Sequence, residues 1–422
     1  MKIIPSNGLN GTVCVQGDKS ISHRAIMFGA LSDGVCNISH FLMSDDCLAT
    51  IDCFRKMGVE IEACDETVRV QGVGINGLKA PISPLYTGNS GTTTRLLCGL
   101  LAAQNFNSSI NGDESIQTRP MARVATPLKL MGADIELTNE NFCPIEIHGT
   151  ELYGIDYTLP VASAQLKSAL ILAGLYANGK MVITEQRESR NHTEHMLKNL
   201  GANIEINRNK ITVEKTEKIS SFDLDVPGDI SSAAFFIVAG LIVPNSEIIL
   251  KNVGINKTRA GVIDLLIKMG GDITITNRDA SLEPTCDLIV KSSKLKAIDI
   301  CGDIIPNVID ELPILAVAAS FAEGKTNIRD ASELRHKESD RISAMCTELK
   351  KGGIDVVETP DGMIINGGEA FGGDFISYND HRIAMAMTIF ALAAKTPSSL
   401  SGEDAVSISY PNFFNDLNSL RG

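Results

Sequence analysis

The chain has 422 residues, 44% of them hydrophobic and only 5% aromatic, enough apolar material for one large core or two ordinary ones; two domains are expected. With 38 basic and 51 acidic residues the net charge is −13, which opposes general nucleic-acid binding and requires cations to be concentrated locally if the ligands are anions. The longest apolar run, "AAFFIVAGLIV" (233–243), has 11 residues before Pro244, short of the roughly 18 that suggest a membrane span.

The first residues, "MKIIPSNGLNG", lack a basic segment followed by an apolar stretch, so neither a leader nor an anchor is expected. In chain order, six stretches then share one design, a turn of small and polar residues followed by an apolar run. They are "GDKSISHRAIMFGAL" from 17, "GNSGTTTRLLCGLLAA" from 88, "ASAQLKSALILAGL" from 162, "GDISSAAFFIVAGLI" from 228, "PNVIDELPILAVAAS" from 306 and "NDHRIAMAMTIFALAA" from 379, spaced 66 to 78 residues apart. Between them recurs an apolar residue and Gly before an alternating stretch: "KMGVEIEA", "LMGADIEL", "NLGANIEI", "KMGGDITI" and "KGGIDVVE". Each predicts a helix stopped at Gly, where a left-handed C-cap is cheap, and then a strand of period two. A unit therefore reads strand, helix, strand, helix, strand, strand. The sixth runs out of chain after its first helix, and "MKIIPSNGLNGTVCV" is expected to complete it.

Three units per domain put one boundary near 215–229 and a second crossing near 13–17. The expected domains are 15–226 and 1–14 with 227–422, hinged at two crossings, with the active site in the cleft between them. Runs that are apolar all round belong to buried helices, and repetition should bring their N-termini to one face of each domain. Such termini offer unpaired N–H groups and partial positive charge to anions. Ordinary capping explains Ser22, Asn89 and Asn379, but not Lys19, Arg24, Arg95 and Arg382 at helix starts, where a cation opposes the dipole. A plain repeat scaffold is therefore the weaker reading.

Other motifs carry less. "GVGING" (72–77) matches a dinucleotide-binding pattern, but Pro81 and Pro84 rule out the helix it needs. "HTEH" (192–195) lacks the H-E-x-x-H order of a zinc site, and the ten cysteines include no C-x-x-C pair and read as reduced, mostly buried thiols in a cytoplasmic protein. In "HKESDRISAM" (336–345), a helix would put Lys337, Glu338 and Arg341 on one face. "RPMAR" offers Arg119 and Arg123 from a loop at Pro120, and "IDELP" places Asp310 and Glu311 before a buried helix.

Together "GDKSISHRAIMFGAL", "GNSGTTTRL", "RPMARV", "ASAQLKSALILAGL", "RNHTEH", "PNVIDELPILAVAA", "RHKESDRI" and "YNDHRIAMA" resemble the 5-enolpyruvylshikimate-3-phosphate synthase family, from Gly17 to about Phe414. The resemblance implies a two-domain inside-out α/β barrel, each domain three βαβαββ units with buried parallel helices and outer sheets. It implies transfer of the enolpyruvyl group of phosphoenolpyruvate to the 5-hydroxyl of shikimate 3-phosphate, on the route to chorismate and the aromatic amino acids, without metal or organic cofactor. A cytoplasmic monomer with no nucleic-acid or membrane partner is expected, and a glyphosate target.

By resemblance, Lys19, Ser20, Arg24, Ser163, Ala164, Gln165, Asp310 and Lys337 contact shikimate 3-phosphate, with Arg190 a further phosphate contact. Lys19, Gly91, Arg119, Gln165, Arg341 and Arg382 surround phosphoenolpyruvate. Asp310 is the expected base, and Glu338 or Lys19 the acid. Ala164 replaces a serine of the best-known branch, Leu96 a proline and Ile408 a lysine, whereas "RNHTE" fits the R-x-H-x-E pattern of a second branch often tolerant of glyphosate; Gly91 argues the other way, and tolerance stays open. The nearest rival is UDP-N-acetylglucosamine 1-carboxyvinyltransferase, which has Lys-Asn in its opening motif and commonly a cysteine in its mobile loop, where "NGDESIQTRPM" has none. A more distant one, the RNA 3′-phosphate cyclase, needs a nucleophilic histidine and ATP.

Overall fold

The computed structural model describes residues 1–280 and 282–421. Two compact units divide it, Gly17–Val226 and Met1–Gln16 with Pro227–Gly422. All six apolar runs form helices, and all five predicted glycine stops adopt left-handed backbone, at Gly58, Gly132, Gly201, Gly270 and Gly353 with φ between 83° and 99°. Only glycine takes this geometry without a Cβ penalty, which is why the helix ends there and the next strand can start.

In the Gly17–Val226 unit, the inner helices are Lys19–Leu31, Gly91–Ala102 and Ala164–Gly174. They are capped by Asp18, Ser90 and Ser163, whose side chains accept from Ile21 N, Thr93 N and Leu166 N. Every residue from Ile21 to Leu31 is buried, the polar Ser22, His23 and Arg24 of its first turns included, and the apolar remainder has no face for solvent. The second and third inner helices approach closely at Gly99: a Cβ there would lie 2.0 Å from the Ala169 carbonyl oxygen. Three four-stranded sheets belong to this unit, each with one parallel pair joined to an antiparallel hairpin.

The other unit repeats the plan with inner helices Ile230–Ile242, Leu312–Ser320 and His381–Ala393. Phe235, Phe236, Tyr410 and Phe413 pack with ring centroids 5.6 to 6.1 Å apart and close the core beside the first of them.

Three expectations are corrected. The N-terminal stretch divides: Lys2–Ile3 joins the sixth sheet beside Ser398–Ser399, whereas Asn10–Val13 joins the fourth, parallel to Glu247–Leu250. The first sheet receives Asp223–Asp225 instead, parallel to Asn37–Ser39. The first and fourth units have thus exchanged opening strands, and because both still pair in parallel, no ladder is lost. The fifth apolar run is also interrupted: Ile305–Val308 is a separate turn of helix, and Leu312–Ser320 restarts with Pro313 in its first turn. Proline has no N–H to return to Ile309, so the chain breaks there and leaves Asp310 in the turn. The sixth unit also continues beyond its helix, through Ser398–Ser401 to a last helix, Phe413–Ser419. "GVGING" is a loop followed by no helix, with a Cβ on Gly72 only 2.2 Å from the Ser32 carbonyl oxygen.

Candidate active site

In the Gly17–Val226 unit the polar residues gather at the starts of the three inner helices. Lys19 Nζ pairs with Asp46 Oδ2 at 2.9 Å. Burial alone would raise the Asp46 carboxyl, but the Lys19 ammonium, with Arg119 adding to it, holds it below its ordinary value. Arg95 donates to Gln165 Oε1 at 2.6 Å and to the Pro120 carbonyl at 3.2 Å, and Gln165 Nε2 donates to Thr92 Oγ1 at 3.2 Å. Gly91 sits against the cations: a Cβ there would be 2.8 Å from an Arg95 terminal nitrogen and 3.5 Å from one of Arg119. Burial, together with Arg123 and Arg119, lowers Arg95 to about 10. Like charges crowded in this way are relieved by an anion. Arg119 also donates to Ser115 Oγ at 3.1 Å.

Arg24 is buried and donates to the Ser20 carbonyl at 2.9 Å, Thr193 Oγ1 at 2.7 Å and Ser168 Oγ at 3.0 Å. Ser163 caps the third inner helix, Ala164 opens it, and Arg190 is half-buried just before the His192–Asn199 helix. His23 is buried, bonded through Nδ1 to Thr50 Oγ1 at 2.7 Å, and burial lowers it to about 3, so it is neutral. Within "HTEH", His192 is buried and His195 exposed, so the two rings do not share a site.

In the other unit, Asp310 stands among three cations: Lys337 Nζ at 3.7 Å, Arg341 at 3.6 Å and Arg382 at 3.9 Å. Arg382 also donates to the Asp310 carbonyl at 2.8 Å, holding the turn. The capping explanation fails here, because no side chain caps the Leu312–Ser320 helix. Arg341 is buried, donating to Asp380 Oδ2 at 2.8 Å and to Glu338 Oε2 at 2.6 Å. Burial would raise Glu338, but the Arg341 guanidinium outweighs it and holds the carboxyl below its ordinary value. Burial, with Arg382 and Arg341 beside it, lowers His381 to about 3.

The one-helix reading of "HKESDRISAM" is corrected: Ser332–His336 is a 3-10 turn, and the helix starts at Arg341, capped by Asp340. Glu338 meets Arg341, and Lys337 meets Asp310, from the loop before the helix, whose start Asp340 caps by accepting from Ser343 N. Ile408 is half-exposed in a late 3-10 turn, and Leu96 is buried within its helix. Sequence reasoning missed Asp46 and Asp380, the carboxylates that hold Lys19 and Arg341. The usable signal was a motif cation matched by an acidic residue at another helix start, "MSDDC" and "YNDHR".

Residues 3–417 match the family described as EPSP synthase (3-phosphoshikimate 1-carboxyvinyltransferase). The chain belongs to the EPSP synthase family. A 3-phosphoshikimate 1-carboxyvinyltransferase from Thermoanaerobacter sp. (strain X514) is 50% identical over 414 residues, 98% of each chain. That from Bacillus subtilis (strain 168) is 49% identical over 416 residues, 98% of this chain and 97% of its own. The solved EPSP synthase from Acinetobacter baumannii superposes with a TM-score of 0.94 at 45% identity, covering 100% of this chain and 98% of that one. The enolpyruvyl transferase NikO from Streptomyces tendae reaches 0.79 at 18% identity over 99% of this chain and 96% of that one, a likeness of fold alone. The two-domain α/β plan of the EPSP synthase family is thus the one that the repeats predict. Among the described residues of this family member, no helix is long and apolar enough to cross a membrane.

Proposed function

We propose that this chain transfers the enolpyruvyl group of phosphoenolpyruvate to the 5-hydroxyl of shikimate 3-phosphate and releases phosphate. The observation that carries the reading is Asp310 held among Lys337, Arg341 and Arg382, a carboxylate ringed by cations suited to an anionic substrate. In the addition step the 5-hydroxyl oxygen bonds to C2 of the enol phosphate, its proton passes to Asp310, and C3 takes a proton. In the elimination step the new methyl gives up a proton and the C2–O bond to phosphate breaks. The Arg341 guanidinium favours the ionised form of Glu338, which disfavours it as an acid, whereas Lys19 meets the Asp46 carboxylate at 2.9 Å as an ammonium partner. Lys19 is therefore the favoured donor and Glu338 a base for the elimination.

Lys19, Ser20, Arg24, Ser163, Ala164, Gln165, Arg190, Asp310 and Lys337 are assigned to shikimate 3-phosphate. Lys19, Gly91, Arg119, Gln165, Arg341 and Arg382 are assigned to phosphoenolpyruvate. The crowded Arg95 and Arg119 support the second set, and the hydrogen-bonded Arg24 the first. We assign the protein to the cytoplasm, as a monomer and a glyphosate target. Phosphate release with phosphoenolpyruvate and each acceptor tests the reading: release with shikimate 3-phosphate is expected, and release only with UDP-N-acetylglucosamine would overturn it.

A further inference from the structure

Lys167 lies one turn inside the Ala164–Gly174 helix and is wholly buried, facing Glu185 and Glu194, whose side chains are 5% and 2% exposed. Its ammonium pairs with Glu185 Oε2 at 2.9 Å and Glu194 Oε1 at 2.7 Å and donates to the Ser189 carbonyl at 3.2 Å. One buried cation between two carboxylates is an expensive way to gain stability, and well-packed apolar side chains often do as well. The arrangement makes sense as geometry. Glu185 follows the strand Met181–Thr184, and Glu194 lies in the first turn of the His192–Asn199 helix, so the two carboxylates mark the ends of residues 185–194. Midway, Ser189 donates to Glu185 Oε1 from its N–H at 3.1 Å and its hydroxyl at 2.6 Å.

That fastened segment carries Arg190 and Thr193. Thr193 Oγ1 accepts from Arg24 Nε at 2.7 Å and lies 2.6 Å from Ser168 Oγ, and Ser168, the residue after Lys167, accepts from the same guanidinium. We propose that Lys167 is a positioning residue: it fixes residues 185–194 against the helix that opens with Ala164 and Gln165, and so aims Arg24 and Arg190 at shikimate 3-phosphate. The substrate named here rests on the function proposed above; the fastening does not.

The test compares the whole protein with Lys167→Met, Lys167→Arg and Glu194→Gln, the last kept because Lys167→Met leaves two buried carboxylates unpaired and can fail to fold. Deuterium exchange of the substrate-free protein should quicken about tenfold across residues 186–193 in Glu194→Gln and stay at the parent rate elsewhere. The dissociation constant for shikimate 3-phosphate should rise about tenfold, the KM for phosphoenolpyruvate should stay within twofold, and Lys167→Arg should retain part of the binding that Lys167→Met loses. Unchanged exchange in folded Glu194→Gln, or equal weakening of both substrates, would overturn the positioning role. A parent protein that binds no shikimate 3-phosphate would instead defeat the substrate reading, with the exchange data still deciding the role of Lys167.

Discussion

Arg341 and Asp380 face each other almost completely out of solvent, with side-chain exposures of 1% and 0%, joined by a 2.8 Å hydrogen bond from Nε to Oδ2. Removing one partner of a buried pair strands the other charge, at a cost of about 3–5 kcal/mol. Glu338 still faces Arg341, so Asp380→Ala should fall near the low end, read from urea unfolding. Burial would raise Asp380, but Arg341 depresses it below its ordinary value. The pair's stability is therefore present above the unfolded-state carboxylate range and lost as pH falls through the depressed value. Asp380→Asn should flatten that acid limb, and an unchanged limb would deny Asp380 its part in it.

Two arginines assigned to phosphoenolpyruvate should behave differently when removed. Each loses a charge-assisted contact worth roughly 1.5–3 kcal/mol. Arg119→Ala should weaken phosphoenolpyruvate by about that amount with little change in melting temperature. Arg341→Ala should do the same and also lower the melting temperature, because the buried Asp380 loses its counter-ion and keeps only the hydrogen bonds from Ser339 and the Arg382 N–H. Calorimetry that finds both substrates weakened equally would contradict the assignment.

Asp310→Asn keeps the shape of the side chain and removes the proposed proton acceptor. Turnover should fall about 10²–10⁴-fold, the usual share of general acid–base catalysis, while the affinity for shikimate 3-phosphate changes much less. Turnover within a fewfold of the parent, in a folded variant, would take Asp310 out of the mechanism.

Gly99→Ala tests the packing of the inner helices. Its Cβ would meet the Ala169 backbone oxygen at 2.0 Å, and no rotamer change relieves a clash with backbone. A loss of at least ~1–3 kcal/mol, the usual range for overpacking, is expected in thermal unfolding. A variant as stable as the parent would show that the two helices can part without cost.

The inner helices were readable because they are apolar on every side, and their stops because glycine marks a left-handed residue. Strand partners were not: alternation in "NGTV" says that one face is buried, not which sheet buries it, so the destination of Asn10–Val13 was missed. The break before Leu312 was readable in principle, since Pro313 cannot continue a hydrogen-bond ladder, but the apolar run around it dominated the pattern. In the site, motif cations stood out because they oppose a helix dipole. Their carboxylate partners, Asp46 and Asp380, occupy positions where an acidic residue is ordinary, and Lys167 looks like any lysine until the fold puts two glutamates against it.

Asp223–Asp225 closes the first sheet of the Gly17–Val226 unit, so that unit has every strand it needs once residue 226 has left the ribosome. The other unit must wait at both ends, Asn10–Val13 for Glu247–Leu250 and Lys2–Ile3 for Ser398–Ser399. At roughly 5–20 residues per second, the first of these waits lasts on the order of 10–50 s, long beside the folding time of most domains. The opening strand can afford such a delay because "NGTV" exposes three of its four residues even when paired and offers little apolar edge to another nascent chain. On this topology the chain is expected to fold from its first half outwards, with residues 2–13 among the last to find their places.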